Sequence, residues 1–256
     1  MIKSKFLIAS LAIAATLFST ANAVILDLGT NGSGIINGAL FEVSSLHPAG
    51  TGVFGPFMTI QNSPWEQGYN SSAGPFDTKR APQWNHEIQF SELRATTFNG
   101  IDYFGFVVDT NEPNGGGRST ISLDGLGIWT SSTLQNSTST DANGFFNGSL
   151  GTLRYDLGAN VVLYDDQHSG SGTADISIYI PVSFFAGAQA TDFVYMYQRW
   201  GNTAGSEGGF EETALIDGFV IPELSSFFPI IGLLVAVGST HILRRRRMTR
   251  AGAAVS

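Results

Sequence analysis

The sequence predicts an all-β protein, an antiparallel two-sheet sandwich of jelly-roll-like form, preceded by a signal peptide and followed by one C-terminal transmembrane helix. Three observations carry this. Short apolar–polar alternating runs recur along residues 24–220, and glycine-rich turns separate them. Helical periodicity is nearly absent between the two ends. Each end is instead a largely apolar stretch with basic residues on its outer side.

The N-terminal stretch comes first. Lys3 and Lys5 make a positive region, Phe6 to Phe18 an apolar one, and Ala21-Asn22-Ala23 a small-x-small cleavage site. Residues 1–23 therefore read as a signal peptide, with Val24 as the mature N-terminus. The exported body then runs to residue 220 as one domain, a size common for β-sandwiches.

Within it, strands are expected at Gly34 to Val43, Phe54 to Gln61, His86 to Phe90, Tyr103 to Asp109, Ser119 to Thr130, Thr152 to Asp156, Val161 to Tyr164, Asp175 to Ile180 and Phe193 to Arg199. In Ile176-Ser177-Ile178-Tyr179-Ile180 the isoleucines would face a core and Ser177 and Tyr179 the outside. Linkers such as Asn111 to Gly117 and Ser169 to Gly172 are rich in turn formers. Pro181 to Ala188 is the one expected short helix. Thr130 to Asn147 is a Ser/Thr-rich loop, read as a mobile surface segment or a site of O-glycosylation.

The C-terminal element is a 17-residue apolar span, 227–243, ending at Arg244, Arg245, Arg246 and Arg247. That length is at the short end of what crosses a ~30 Å hydrocarbon core. Retained arginines place the C-terminus, residues 248–256 included, on the cytoplasmic side and the body outside.

Pro222, Glu223 and Leu224, then Ser225 and Ser226, the span and the arginine cluster follow one another in that order. This series resembles the PEP-CTERM sorting domain of Gram-negative bacteria over residues 221–247, with Leu224 where the motif usually has a second proline. The resemblance implies an exosortase as processing partner, cleavage near Pro222-Glu223, transient anchoring, and release to the outer surface or extracellular matrix. It also implies company with exopolysaccharide. More loosely, Gln67 to Asn70, Leu153 to Leu157 and Gly209 to Glu212 resemble the bodies of other exosortase substrates, which implies no activity.

Composition restricts the chemistry. The chain has no cysteine, so disulfides, thiolate zinc sites and cysteine nucleophiles are excluded. Between residues 24 and 220 there are 20 acidic and six basic residues, a formal charge of −14 against −8 for the whole chain. Such a body repels nucleic acid, which requires a basic footprint.

Catalysis on glycans would require paired carboxylates. Glu211-Glu212 and Asp165-Asp166 are doublets, but adjacent residues on a strand point to opposite faces, so neither forms a glycosidase pair alone. Glu87, near Trp84 and His86, is an unlinked third candidate. No nucleophile elbow or His-Glu-x-x-His motif occurs. The metal that the residue types suit is calcium, with Asp109, Asn111, Asp124 and Asp165 as oxygen ligands from loops; Asx-turns account for the same residues without a metal. Trp65 and Trp84, beside Pro64 and Pro82, are the candidate sugar-stacking rings, whereas Trp129 sits in an alternating strand whose outward face is undetermined. A structural or adhesive surface protein without catalysis is the favoured function. A carbohydrate-binding module, stabilised by calcium, is the alternative, and a glycan-active hydrolase or lyase the third reading.

Overall fold

A computed structural model describes residues 23–46, 55–113, 118–166 and 173–216. The signal peptide expected over residues 1–23 falls outside the described residues up to residue 22, as do the expected sorting segment with Pro222, Glu223, Leu224 and Arg244 to Arg247 and the apolar span 227–243. Among the described residues no helix is long and apolar enough to cross a membrane.

The described strands are β1 (Ile25–Asp27), β2 (Ser33–Ile36), β3 (Ala39–Val43), β4 (Met58–Ile60), β5 (Glu66–Tyr69), β6 (Ile88–Gln89) and β7 (Ala95–Phe98). They continue as β8 (Ile101–Asp109), β9 (Thr120–Ser131), β10 (Thr152–Asp156), β11 (Val161–Asp165), β12 (Ile176–Pro181), β13 (Phe193–Trp200) and β14 (Glu211–Leu215). They form two sheets. The first has the order β1-β11-β9-β13-β5, with β10 also beside β9 and β6 beside β13. The second has the order β2-β3-β12-β8-β14-β4, with β7 beside β8. All pairings are antiparallel except β1 with β11.

The sheets pack face to face as a sandwich. Ile121, Leu123, Leu126 and Ile128 of β9, with Val194 and Met196 of β13, meet Phe41, Phe106, Val108, Ile176, Ile178 and Ile180 of the second sheet in one core. Each fully buried side chain of this size contributes roughly 1.5–3 kcal/mol of hydrophobic stabilisation.

Several expectations are corrected. The run Gly34 to Val43 is two strands, because Asn37 (φ 51°) and Gly38 (φ 87°) make a two-residue hairpin turn. β1, β5, β7 and β14 fall where no strand was expected. The short helix expected over Pro181 to Ala188 does form, but as a 3-10 helix confined to Val182–Phe185. Ser177 and Tyr179 do point away from the isoleucines, yet both are buried. Tyr179 packs in a second cluster with Tyr103, Val107 and Ile216, and Ser177 Oγ donates to Ser44 Oγ at 3.0 Å, so the outer face of this sheet is covered too.

One edge of the sandwich is laced shut. Asp77 N–H donates to the Gln67 carbonyl on β5, while Gln61 N–H donates to the Asp77 carbonyl and Lys79 N–H to the Thr59 carbonyl on β4. Residues 77–79 thus bridge the two sheets beside Glu66.

Candidate functional site

The outer face of the first sheet is where side chains converge. In β13, Val194, Met196, Gln198 and Trp200 point inward, which sends Phe193, Tyr195, Tyr197 and Arg199 outward beside Trp129 of β9 and Tyr69 of β5. The Ser/Thr-rich loop folds back over this face and is fastened to it. Tyr69 Oη donates to the Ser137 carbonyl (3.1 Å), and Gln135 N–H donates to the Tyr195 hydroxyl (2.9 Å). Gln67 Nε2 donates to the Gly144 carbonyl (2.7 Å), and Phe146 N–H to Gln67 Oε1 (2.9 Å). Phe146 packs against Tyr69, Phe76, Trp129 and Tyr197 with centroid separations of 5.2–6.1 Å. With Leu150 these rings make a small core of their own. Burial pushes the Tyr69 and Tyr197 hydroxyls up to about 12, so they stay protonated donors. The loop is therefore an anchored cap and not a mobile segment, although Ser132, Thr133, Thr138, Ser139 and Thr140 remain exposed.

Along the flank of this cap lies an open groove of about 450 Å³, between the end of the loop and β9, β10 and β13. Trp129, Phe146, Leu153 and Tyr197 supply its apolar lining, and Asn147, Ser149, Asp156 and Arg199 its polar lining. Gly125 and Gly127 keep the floor free of side chains. At Gly127 a Cβ would lie 2.1 Å from Trp129 Cη2, so the indole rests in the space that the missing side chain leaves. Arg199 lies over the Phe145 ring at 4.0 Å, donates from Nη2 to the Asp124 carbonyl (2.8 Å), and has an Nε with no acceptor among the described residues.

The two tryptophans singled out from the sequence have different partners. Trp65 is half-buried and meets Phe145 edge-on at 5.3 Å, which places it at the margin of the Arg199 stack. Trp84, also half-buried, lies 5.0 Å from Lys79 Nζ, which sits 3.4 Å from the Phe210 centroid. Trp129, which the sequence left on either face, is the tryptophan lining the groove. The signal available for it was the Gly125-x-Gly127-x-Trp129 spacing, with every second residue on one face.

The four oxygen donors proposed for calcium are not gathered together. Asp124 occupies a bulge in β9, and its carboxylate accepts from Ser122 Oγ (2.6 Å), Asn202 N–H (2.7 Å) and Thr203 Oγ1. Asp165 accepts from Ser119 Oγ. Asp109 ends β8 opposite Glu212, and half-buried Asn111 follows it. Among the described residues, no group of three or more His, Asp or Glu is arranged to hold a metal.

A carboxyl cluster does occur, in a place the sequence did not indicate. Glu211 and Glu212 point to opposite sides of β14 as expected, but Glu211 then meets Glu66 of β5 inside the sandwich, with Glu112 beside it. All three are buried. Glu66 Oε2 accepts from Asn62 N–H (2.6 Å) and Glu112 Oε2 from Glu207 N–H (2.9 Å). Among the described residues, Oε1 of Glu66, Oε1 of Glu112 and both oxygens of Glu211 have no hydrogen-bond partner apart from one another's carboxyls. Carboxyls that meet oxygen to oxygen hold together only by sharing protons. Desolvation accordingly pushes Glu66 up to about 7, Glu211 well above the carboxylate range, and Glu112 upward as well. The pair is sealed inside the fold, with no cleft for a sugar between its carboxyls. Glu87 is elsewhere, accepting from Ser71 Oγ (3.0 Å) and from Ser72 N–H and Oγ (3.1 Å each).

Compared with known protein families, with curated proteins and with solved structures, the chain matches none.

Proposed function

We propose that this is an exported, exosortase-processed protein of the cell surface or extracellular matrix, whose sandwich has a structural or adhesive role and no catalysis of its own. The observation that carries the non-catalytic part is the state of the carboxyl groups. The one facing pair of glutamates described is sealed between the sheets, while Asp124 and Asp156, which line the open groove, and Asp165 and Glu87 elsewhere each accept hydrogen bonds from neighbouring side chains or backbone. A hydrolase acting on sugars needs two carboxyls across an open cleft, about 5–9 Å apart. The export and sorting part is supported by the order of signal peptide, Pro222-Glu223-Leu224, apolar span and arginine cluster, and by the charge of −14 on the body. An acidic, cysteine-free surface suits a soluble existence outside the cell.

Mass spectrometry of the released protein tests this reading in a bacterium that expresses the full chain with and without an exosortase. The expected species begins at Val24 and ends near Pro222, and appears only when the exosortase is present. A surface form that retains Arg244 to Ser256 overturns the processing model.

A further inference from the structure

We propose that the groove beside Trp129 binds a segment of a neutral polysaccharide chain, with the indole as stacking platform and Arg199, Asn147 and Asp156 as hydrogen-bonding groups. This rests on the reading of the body as an extracellular adhesive module, and names the ligand class that module would take. The argument begins with the shape. About 450 Å³ falls within the range of small-molecule sites, and the groove is partly open to solvent, so a ligand longer than the groove can extend beyond it.

The lining has the chemistry of a pyranose. A sugar ring presents C–H faces and a rim of hydroxyls. The groove offers Trp129, Tyr197 and Leu153 to the former, and amide, hydroxyl, carboxylate and guanidinium groups to the latter. The platform is also fixed before any ligand arrives. Trp129 lies in the space over Gly127 and is braced edge-on by Phe146 at 6.1 Å, while Phe145 and the Asp124 carbonyl hold the Arg199 guanidinium. Binding to such a site spends little side-chain entropy.

Charge selects among polysaccharides. The body carries −14, and the groove sets Asp124 and Asp156 against Arg199, the one cation among its described lining residues. A polyanion would meet net repulsion, whereas a neutral chain would not.

Calorimetry on the mature protein tests this, with neutral hexasaccharides of β-1,4-glucose, β-1,3-glucose and β-1,4-mannose as probes and an alginate hexamer as the anionic control. Binding to at least one neutral probe is expected. Trp129→Ala should weaken it by about tenfold or more, equivalent to 1.4 kcal/mol, and Trp129→Phe should recover part of the loss. Leu153→Arg, at an exposed lip position away from the core, guards against a folding defect and should also weaken binding. Heat from none of the neutral probes, tighter binding to alginate, or affinities unchanged in both Trp129→Ala and Leu153→Arg would each overturn the proposal. The reading of the chain as a sorted surface protein stands or falls separately, on the mass and location of the processed form.

Discussion

Glu66 on β5 and Glu211 on β14 face each other from opposite sheets, each with 0 % of its surface exposed. The other charges acting on them, Glu112 and Asp77, are also acidic. Two ionised carboxylates in that position would carry both a desolvation cost and mutual repulsion. The arrangement is stable only while protons remain on it, so the closed edge of the sandwich is coupled to pH.

The sign of that coupling is fixed. Below pH 4.5 the glutamates are protonated in both folded and unfolded chains and contribute nothing. From pH 4.5 to about 7 the unfolded chain releases its protons while the folded one keeps them, so stability falls as pH rises. The slope is about 1.4 kcal/mol per pH unit for each retained proton. Glu42, Glu112 and Glu212 are also raised by burial and act in the same direction. Urea titrations from pH 4 to 8 should therefore show declining stability. Glu211→Gln, which supplies an N–H donor to Glu66 and removes one acid, should flatten the decline. A stability that climbs through this window would contradict the shared-proton reading.

This cluster also marks the limit of what the sequence discloses. Period-two alternation identified β9, β12 and β13, because Ile121, Leu123, Ile176, Ile178, Val194 and Met196 write their inward face in apolar letters. β5 (Glu-Gln-Gly-Tyr) and β14 (Glu-Glu-Thr-Ala-Leu) carry no such pattern. Their inward residues include glutamates whose burial depends on a partner far away in the chain. The groove was hidden for a related reason. Gly125, Gly127 and Trp129 share a face by spacing alone, but the folding of Phe146 onto that face from a polar loop is a tertiary event. Asn37-Gly38, in contrast, was readable as a hairpin turn and lay inside a run that looked like one strand.

The loop's attachment can be tested through Phe146, its principal ring on the sheet. Phe146→Ala removes contacts with Tyr69, Phe76, Trp129 and Tyr197. Because the ring is only half-buried, the expected loss is about 2 kcal/mol, below the 3–5 kcal/mol of a fully buried phenylalanine. Limited proteolysis should cut residues 132–149 faster in the variant. Equal cleavage rates in the two proteins would mean that the cap is held by its hydrogen bonds alone.

Chelation gives a second check on the acidic residues. The Asp124 carboxylate already accepts from Ser122, Asn202 and Thr203, and Asp165 from Ser119, so these groups are supported without a cation. The thermal midpoint of the mature protein should be the same in EDTA and in millimolar calcium. A midpoint that rises with calcium concentration would require an ion bound only by the folded state.

The approach to β14 is set by backbone contact at Gly209. A Cβ there would lie 1.9 Å from the Asn111 carbonyl oxygen and 2.6 Å from its carbon, and both atoms belong to main chain that cannot swing aside. Gly209→Ala must therefore push the entry of β14 away from the segment leaving β8, where Glu212 pairs with Asp109. A loss at or above the 1–3 kcal/mol usual for overpacking is expected. Gly55→Ala is the control, because a Cβ at that position meets nothing within 4 Å, and it should change stability by no more than about 0.5 kcal/mol. Gly209 stands two residues before Glu211, so the same displacement should loosen the contact with Glu66 and let the pair ionise more readily. The Gly209→Ala protein should then lose stability with a shallower dependence on pH as well as a lower midpoint in urea. A lower midpoint with the wild-type pH slope would show that the strand entry and the carboxyl pair are mechanically independent.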